Sequence, residues 1–332
     1  MKVDITVVKA SHLIPFLDFL EASGAPVERL LNEVNLDRDS FSHPDNLVAE
    51  APFWAFLELA TIHKGIDDLG FQVTEKLSLD SYGVFGAKIM QANSLHKALT
   101  SFISDMGQQS NCPPFSLKED EEGIWFCRLG TQGIKKGNWP VEQHVVSLMI
   151  QLVRGFTSSS WTPPYVHLQT HTLNGARNSN SLINTRIKIN MPLTTIFIPK
   201  TLLDNAAVPV INQYKVNTDK TPIQITKNSR EIIKEILLQS PFKQPYTAIS
   251  TANALGMNVR KMQRLLKSED TSFRKLNEEV LFEKSKELLN VETLSVIDIS
   301  LELGYTDAAN FTRSFKRWSG ITPTAYRQYP QY

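Results

Sequence analysis

Residues 294–327 read LSVIDISLELGYTDAANFTRSFKRWSGITPTAYR. Val296, Ile299, Ser300 and Leu303 fall at i, i+3, i+4 and i+7, which predicts a first helix with one narrow apolar stripe. Gly304 stops it, because glycine takes a positive φ without a Cβ clash. Thr306 or Asp307 can cap a second helix, whose Phe311, Phe315 and Trp318 share a face. Asn310, Arg313, Lys316 and Arg317 fall mostly on the other side. A short helix, a glycine turn and a helix with an apolar inner and a cationic outer face make a helix-turn-helix, in which the second helix enters the DNA major groove. For this stretch alone, an ordinary surface helix pair is the competing explanation.

The same order of signals occurs again upstream. Ala248, Thr251, Ala252 and Leu255 repeat the stripe, Gly256 supplies the stop, and NVRKMQRLLK follows at 258–267. Residues 262–267 lie over 311–316 with Arg264 on Arg313 and core positions on core positions. Coincidence over both halves is hard to sustain, and two tandem units are predicted.

ALGMNVRKMQRLLK, TSFRKL and LELGYTDAANFTRSFKRWSGITPTAYR, in that order, resemble the DNA-binding domain of the AraC/XylS family of bacterial transcription regulators. The resemblance covers roughly residues 226–328, about a third of the chain. Thr251 and Ser300 are more polar than the residues usual at those helix positions, but each hydroxyl can bond back to the preceding turn.

The 332 residues suffice for two domains with separate cores. With 42% hydrophobic and 21% charged residues the composition is globular. The longest apolar run, around 145–153, is broken by Ser147 and Gln151 and is too short to span a bilayer. MKVDITVVKASH lacks the pattern of a secretory signal. Cys112 and Cys127 are the only cysteines. That suits a reducing cytoplasm and excludes a cysteine zinc site. The net charge of +1 hides an asymmetry. Residues 215–332 hold 18 Lys and Arg against 13 Asp and Glu, which leaves 17 against 21 for the remainder. A basic last third on an acidic body suits a polyanion-binding module.

Residues 10–80 read mainly as helix: 13–20 around Pro15, 26–35, the apolar 52–62, and a short 70–79. After Gly83 and Gly86, residues 94–104 are helical. Residues 115–118 and 124–129 form a hairpin around the acidic turn 119–123. Residues 141–156 return to helix, and 165–169, 186–189 and 195–198 alternate as strands. An α+β domain with a small antiparallel sheet is expected, followed by an all-α domain. Its order of elements, with the blocks SLHKALTSF and PYVHLQTH, is similar to the arabinose-binding-like effector domain of the amino-acid-utilisation regulator branch of the family. Expected boundaries are 1–205 for this effector-binding and dimerisation domain, 206–225 for a linker, and 226–332 for the DNA-binding domain. Asn228 and Glu231 form a capping pair at its start. Residues 273–289 form one amphipathic helix, roughly 25 Å long, between the two units. If both reading helices face one side of a duplex, they sit about 34 Å apart.

The resemblance, carried over by position, points Arg260, Gln263 and Arg264 on the first reading helix toward base edges. It does the same for Ala309, Asn310 and Arg313 on the second. Arginine grips guanine O6/N7, and Asn or Gln pairs adenine N6/N7. Lys261, Lys267, Lys316 and Arg317 are expected on phosphates. Ala308 and Ala309 have no polar reach, so the second helix is expected to read less sequence.

No GxSxG, HExxH, GxGxxG or GxxxxGK[ST] pattern occurs. His167 and His171 are spaced poorly for a metal on a strand and its exit, and a structural role is expected. Trp125 and Trp161 are read as core, with a ligand cavity as the other option. No enzyme activity, metal or cofactor is expected. The one enzymatic alternative is a DNA-repair alkyl transferase, which also borrows a helix-turn-helix but needs more cysteines. The expected partners are double-stranded promoter DNA, a second copy of the chain, a small-molecule effector and RNA polymerase, with no membrane.

Overall fold

A computed structural model of the chain describes residues 4–111, 115–130, 134, 136–208, 224–225, 228–240 and 247–328, the side chain of residue 80 excepted. Cys112 and most of the expected 206–225 linker lie outside the described residues.

The chain opens with β1 (Val7–Lys9), α1 (Ile14–Ala22), α2 (Val27–Glu33), β2 (Leu47–Ala49), α3 (Glu50–Lys64) and α4 (Leu69–Thr74). Pro15 occupies the first turn of α1, where a missing N–H costs nothing. β1 and β2 pair antiparallel, Val7 opposite Ala49. The sequence reading has no strand here, since three residues are too few to show a period of two. α5 (Gly83–Met90) is a second omission, its glycines having read as a break. α6 (Leu95–Asp105) starts as expected at Ser94, whose hydroxyl accepts from Lys97 N.

β3 (Phe115–Glu119) and β4 (Gly123–Arg128) form the expected hairpin. Asp120 Oδ1 accepts from the backbone N–H groups of Glu122 and Gly123, both at 2.9 Å, and so holds the acidic turn. α7 (Asn138–Arg154) follows, and β5 (Tyr165–His167), β6 (Arg186–Lys188) and β7 (Thr194–Pro199) complete a sheet ordered β3-β4-β7-β5-β6. The antiparallel expectation needs one correction: β5 and β6 run parallel. The connection between them, 168–185, is long enough to return the chain to the same end of the sheet.

α7 is the centre of this domain, with Val146, Met149, Ile150 and Val153 buried against both helices and sheet. Its polar side chains serve as ties. Glu142 Oε1 accepts from Gln169 N and Thr194 Oγ1, each at 2.6 Å. Gln143 accepts from Gly70 N at 2.9 Å and donates to Asp67 O at 2.6 Å. Gly70 is required there, because a Cβ would lie 2.2 Å from Pro140 O.

The last third is all helix among the described residues: α8 (Ser229–Gln239), α9 (Ala248–Ala254), α10 (Val259–Ser268), α11 (Phe273–Leu289), α12 (Val296–Glu302), α13 (Ala308–Ser319) and α14 (Pro323–Gln328). Asn228 Oδ1 accepts from Glu231 N at 3.1 Å to start α8. α11 spans the predicted 273–289 and separates two small cores. Ile299, Leu303, Phe311 and Phe315 close the second core with Leu289. Met262, Leu266, Leu276 and Val280 belong to the first, which also takes in Ile5 and Val7 from the chain's opening. Leu47 N donates to Gln239 Oε1 at 2.7 Å across the same seam. The Ser300 hydroxyl bonds back to Ile297 O at 2.8 Å as expected. Thr251 Oγ1 does not bond back; it is buried without a partner among the described residues. No described helix is long and apolar enough to cross a membrane.

Candidate functional site

Gly256, at φ +64°, turns the chain from α9 into α10. Asn258 Oδ1 accepts from Lys261 N at 2.8 Å and so caps α10. Met262, Leu265 and Leu266 face the core, which leaves Arg260, Gln263, Arg264 and Lys267 exposed together on the outer face. Lys261 departs from this set. It is half-buried, and its Nζ donates to Asp4 O at 3.4 Å, beside the amino-terminal domain.

In the second unit Gly304, at φ +78°, makes the same turn. Asp307, rather than Thr306, is the cap: its Oδ1 accepts from Asn310 N at 2.7 Å. Phe311 and Phe315 are buried, while Ala309, Arg313, Lys316 and Arg317 are exposed and Asn310 half-exposed. Asp307 Oδ2 accepts from Asn310 Nδ2, and Asn310 Oδ1 from Arg313 Nη2. This chain of side chains at successive i, i+3 steps orients both expected base-reading groups. The sequence reading missed it because it rests on rotamers. Arg317 lies apart from the others, its Nη2 donating to Glu278 Oε1 of α11 at 3.1 Å.

α11 fixes each unit through side chains. Lys234 of α8 pairs with Glu283 at 2.7 Å, and Lys284 Nζ donates to Ser240 O at 2.7 Å, at the end of α8. Burial pushes the Lys284 ammonium down to about 8. On the other side Arg327 Nε of α14 donates to Leu289 O at 3.1 Å.

The amino-terminal domain holds a cavity of about 80 Å³ under α3. His12, Glu50, Arg128 and His144 border it, all less than a tenth exposed. Burial holds His12 down at about 4 and His144 at about 3. His12 Nε2 lies 3.2 Å from Gln109 Oε1, and His144 Nδ1 lies 2.7 Å from Thr74 Oγ1. Trp54, within the apolar run 52–62, lines this cavity and an adjoining cleft of about 720 Å³. Trp125 stacks on His167 and borders a shallow surface groove instead. His171 lines the cleft. Among the described residues no group of three or more His, Cys, Asp or Glu is placed to hold a metal. Burial pushes the Cys127 thiol up, which makes it a poor nucleophile at neutral pH.

Residues 24–206, more than half of the chain, match the model for the arabinose-binding domain of AraC transcription regulators, amino-terminal part. The chain belongs to the AraC family of transcription regulators. Residues 251–329 match the helix-turn-helix domain. Among AraC-family and related regulators, the ornithine utilization regulator of Pseudomonas aeruginosa is 20% identical over 341 residues, covering 97% of each chain. An uncharacterized HTH-type transcriptional regulator of Mycobacterium tuberculosis is 39% identical over 80 residues. That match covers 24% of this chain and 23% of the relative, about a quarter of its length. The crystal structure of the regulator CdpR of Pseudomonas aeruginosa aligns over 93% of this chain and 98% of its own at 16% identity, with a TM-score of 0.39. Membership accounts for the two-part architecture: an α+β amino-terminal domain ahead of paired helix-turn-helix units.

Proposed function

We propose that this chain is a cytoplasmic, sequence-specific DNA-binding transcription regulator whose amino-terminal domain, 1–205, responds to a small molecule. Residues 206–225 act as linker and 226–332 as the DNA-binding domain. The observation that carries the reading is the repetition of one surface. Two capped helices bury an apolar side, and each exposes an arginine, Arg264 or Arg313, at the same step of the repeat. Arg260, Gln263 and Arg264 read bases in one major-groove segment, and Asn310 and Arg313 in the next, with Ala309 against a thymine methyl. Lys267 and Lys316 hold phosphates. Lys261 and Arg317 join them once their contacts to Asp4 and Glu278 are released. The chain works as a homodimer and activates through contact with RNA polymerase. The relatives reported above are regulators, and none is a DNA alkyl transferase.

Selection of binding sites from a random duplex pool by the full chain tests the reading. Two conserved blocks about 10 base pairs apart are expected in the recovered sequences. Recovery of no preferred sequence at moderate salt overturns it. Sedimentation of the full chain tests the dimer.

A further inference from the structure

The cavity under α3 lies between elements far apart in sequence, and its walls are mostly apolar. Phe16, Phe53, Leu57, Val145 and Leu148 form much of the lining. Of the polar side chains there, Glu50, Ser110 and Arg128 are each already engaged within the protein. His12 and His144, 4% and 8% exposed, differ: each has one ring nitrogen committed and one left over. The Thr74 hydroxyl gives its single proton to Gly70 O at 2.7 Å, so toward His144 Nδ1, also at 2.7 Å, it can only accept. His144 therefore carries its proton on Nδ1 and leaves Nε2 bare. Gln109 Oε1 accepts in the same way from His12 Nε2, which leaves His12 Nδ1 bare. Both rings are neutral at physiological pH. Among the described residues neither bare nitrogen has a hydrogen-bond partner. The chamber is thus apolar, with its charges engaged and an unmet acceptor on its wall.

We infer that this cavity binds a small uncharged molecule, a hydrocarbon ring or branched chain carrying one hydroxyl, whose O–H donates to Nε2 of His144, the less buried of the two histidines. The inference rests on the reading of this domain as responsive to a small molecule. Apolar walls with one or two fixed polar groups are the usual make-up of a small-molecule site: the walls supply affinity and the polar atom sets orientation. A buried acceptor left unmet is costly, and a guest's hydroxyl meets it. A carboxylate, an ammonium or a zwitterion is disfavoured. The charged groups on the lining are engaged, so the guest's own charge would go uncompensated in a low-dielectric site. Size points the same way. One water needs about 10–15 Å³ by this measure, so about 80 Å³ holds a single ring or a short branched chain rather than a long acyl chain. Trp54 and Arg128 line both the cavity and the adjoining cleft, which gives the guest its route of entry.

Calorimetry on the full chain tests this with four probes: phenol, 3-methylbutan-1-ol, toluene and benzoate. Toluene keeps the ring of phenol without the hydroxyl, and benzoate adds a charge. Binding of phenol or 3-methylbutan-1-ol is expected, with toluene roughly fivefold weaker than phenol and benzoate at least tenfold weaker. His144→Phe, which keeps a ring but removes the acceptor, should bind toluene at least as tightly as phenol. Leu148→Trp, which fills the chamber, should bind nothing. Far-ultraviolet circular dichroism checks each fold. Where a variant does not fold, the probe comparison on the unaltered chain decides. Toluene or benzoate matching phenol, silence from both hydroxyl compounds, or a folded His144→Phe that still prefers phenol overturns the inference. Sequence preference on DNA, measured separately, distinguishes the failures. Silence from the hydroxyl compounds with DNA preference intact leaves the regulator reading standing, and their binding without DNA preference overturns that reading alone.

Discussion

Arg317 Nη2 of α13 donates to Glu278 Oε1 of α11 at 3.1 Å, so a cation of the second unit is held by the bar between the two units. The pair is solvent-facing, with side chains 57% and 32% exposed. Such a pair contributes between nothing and about 1 kcal/mol. Glu278→Gln should leave urea stability within about 1 kcal/mol while freeing Arg317 for a phosphate. DNA affinity should rise at one salt concentration, because binding no longer breaks the pair, while Arg317→Ala should flatten the slope of log affinity against log salt by roughly 0.9. An unchanged slope in Arg317→Ala would show that Arg317 stays off the DNA.

Arg264 and Lys316 test the proposed division between base choice and phosphate grip. Arg264→Ala should cost about 1–3 kcal/mol on the preferred site and relax one base position. Lys316→Ala should weaken preferred and random duplexes alike. Gel-shift competition against scrambled DNA measures both, and an equal loss on both duplexes for Arg264→Ala would contradict its assignment to a base.

Acid should loosen the amino-terminal domain. In the folded chain His12 takes a proton only near pH 4 and His144 near pH 3, whereas unfolded histidines do so near 6.5. Between those limits the unfolded state binds more protons, so stability rises with pH. The contribution is fully present above about 6.5 and falls by about 1.4 kcal/mol per histidine for each pH unit below that, down to the folded-state value. The melting temperature should drop from pH 7 to pH 5, and His144→Gln should flatten that slope. A variant with the wild-type slope would place the acid sensitivity elsewhere.

Gly256 meets α3 closely, since a Cβ there would sit 3.0 Å from both Ala51 Cβ and Pro52 Cδ. Its φ of +64° alone disfavours any side chain by about 1–2 kcal/mol. Gly256→Ala should therefore lower the unfolding free energy by at least about 1 kcal/mol in urea titration. A neutral effect would mean that the turn and α3 move apart freely.

The helix-turn-helix units were readable because their signals are local. Stripe, glycine, cap and cationic face fall within thirty residues, and the bounds of α11 follow from periodicity alone. β1 and β2 were not readable: each is three residues long, and their pairing spans some forty positions. α5 hid behind Gly83 and Gly86, which read as punctuation although a helix passes through Gly86. The parallel pairing of β5 with β6 depends on where a long connection goes, which the pattern within a strand does not encode. The cavity was least visible of all. His12, Glu50, Arg128 and His144 come from separate elements and form no spaced motif, and Trp54 sits in an apolar run that reads as plain core. On the reading helices residue type indicated exposure. It did not indicate that Lys261 would lean on Asp4 or Arg317 on Glu278.

The seam between β1, β2 and the first unit has a practical side. Ile5 and Val7 fill the same core as Met262 and Leu266, so a carboxyl-terminal fragment cut at the linker would leave a greasy notch where they belong. An affinity tag fused ahead of Asp4 would emerge beside Lys261 of the first reading helix. DNA-affinity values from tagged or trimmed versions of this chain will then report the handle or the cut as much as the molecule.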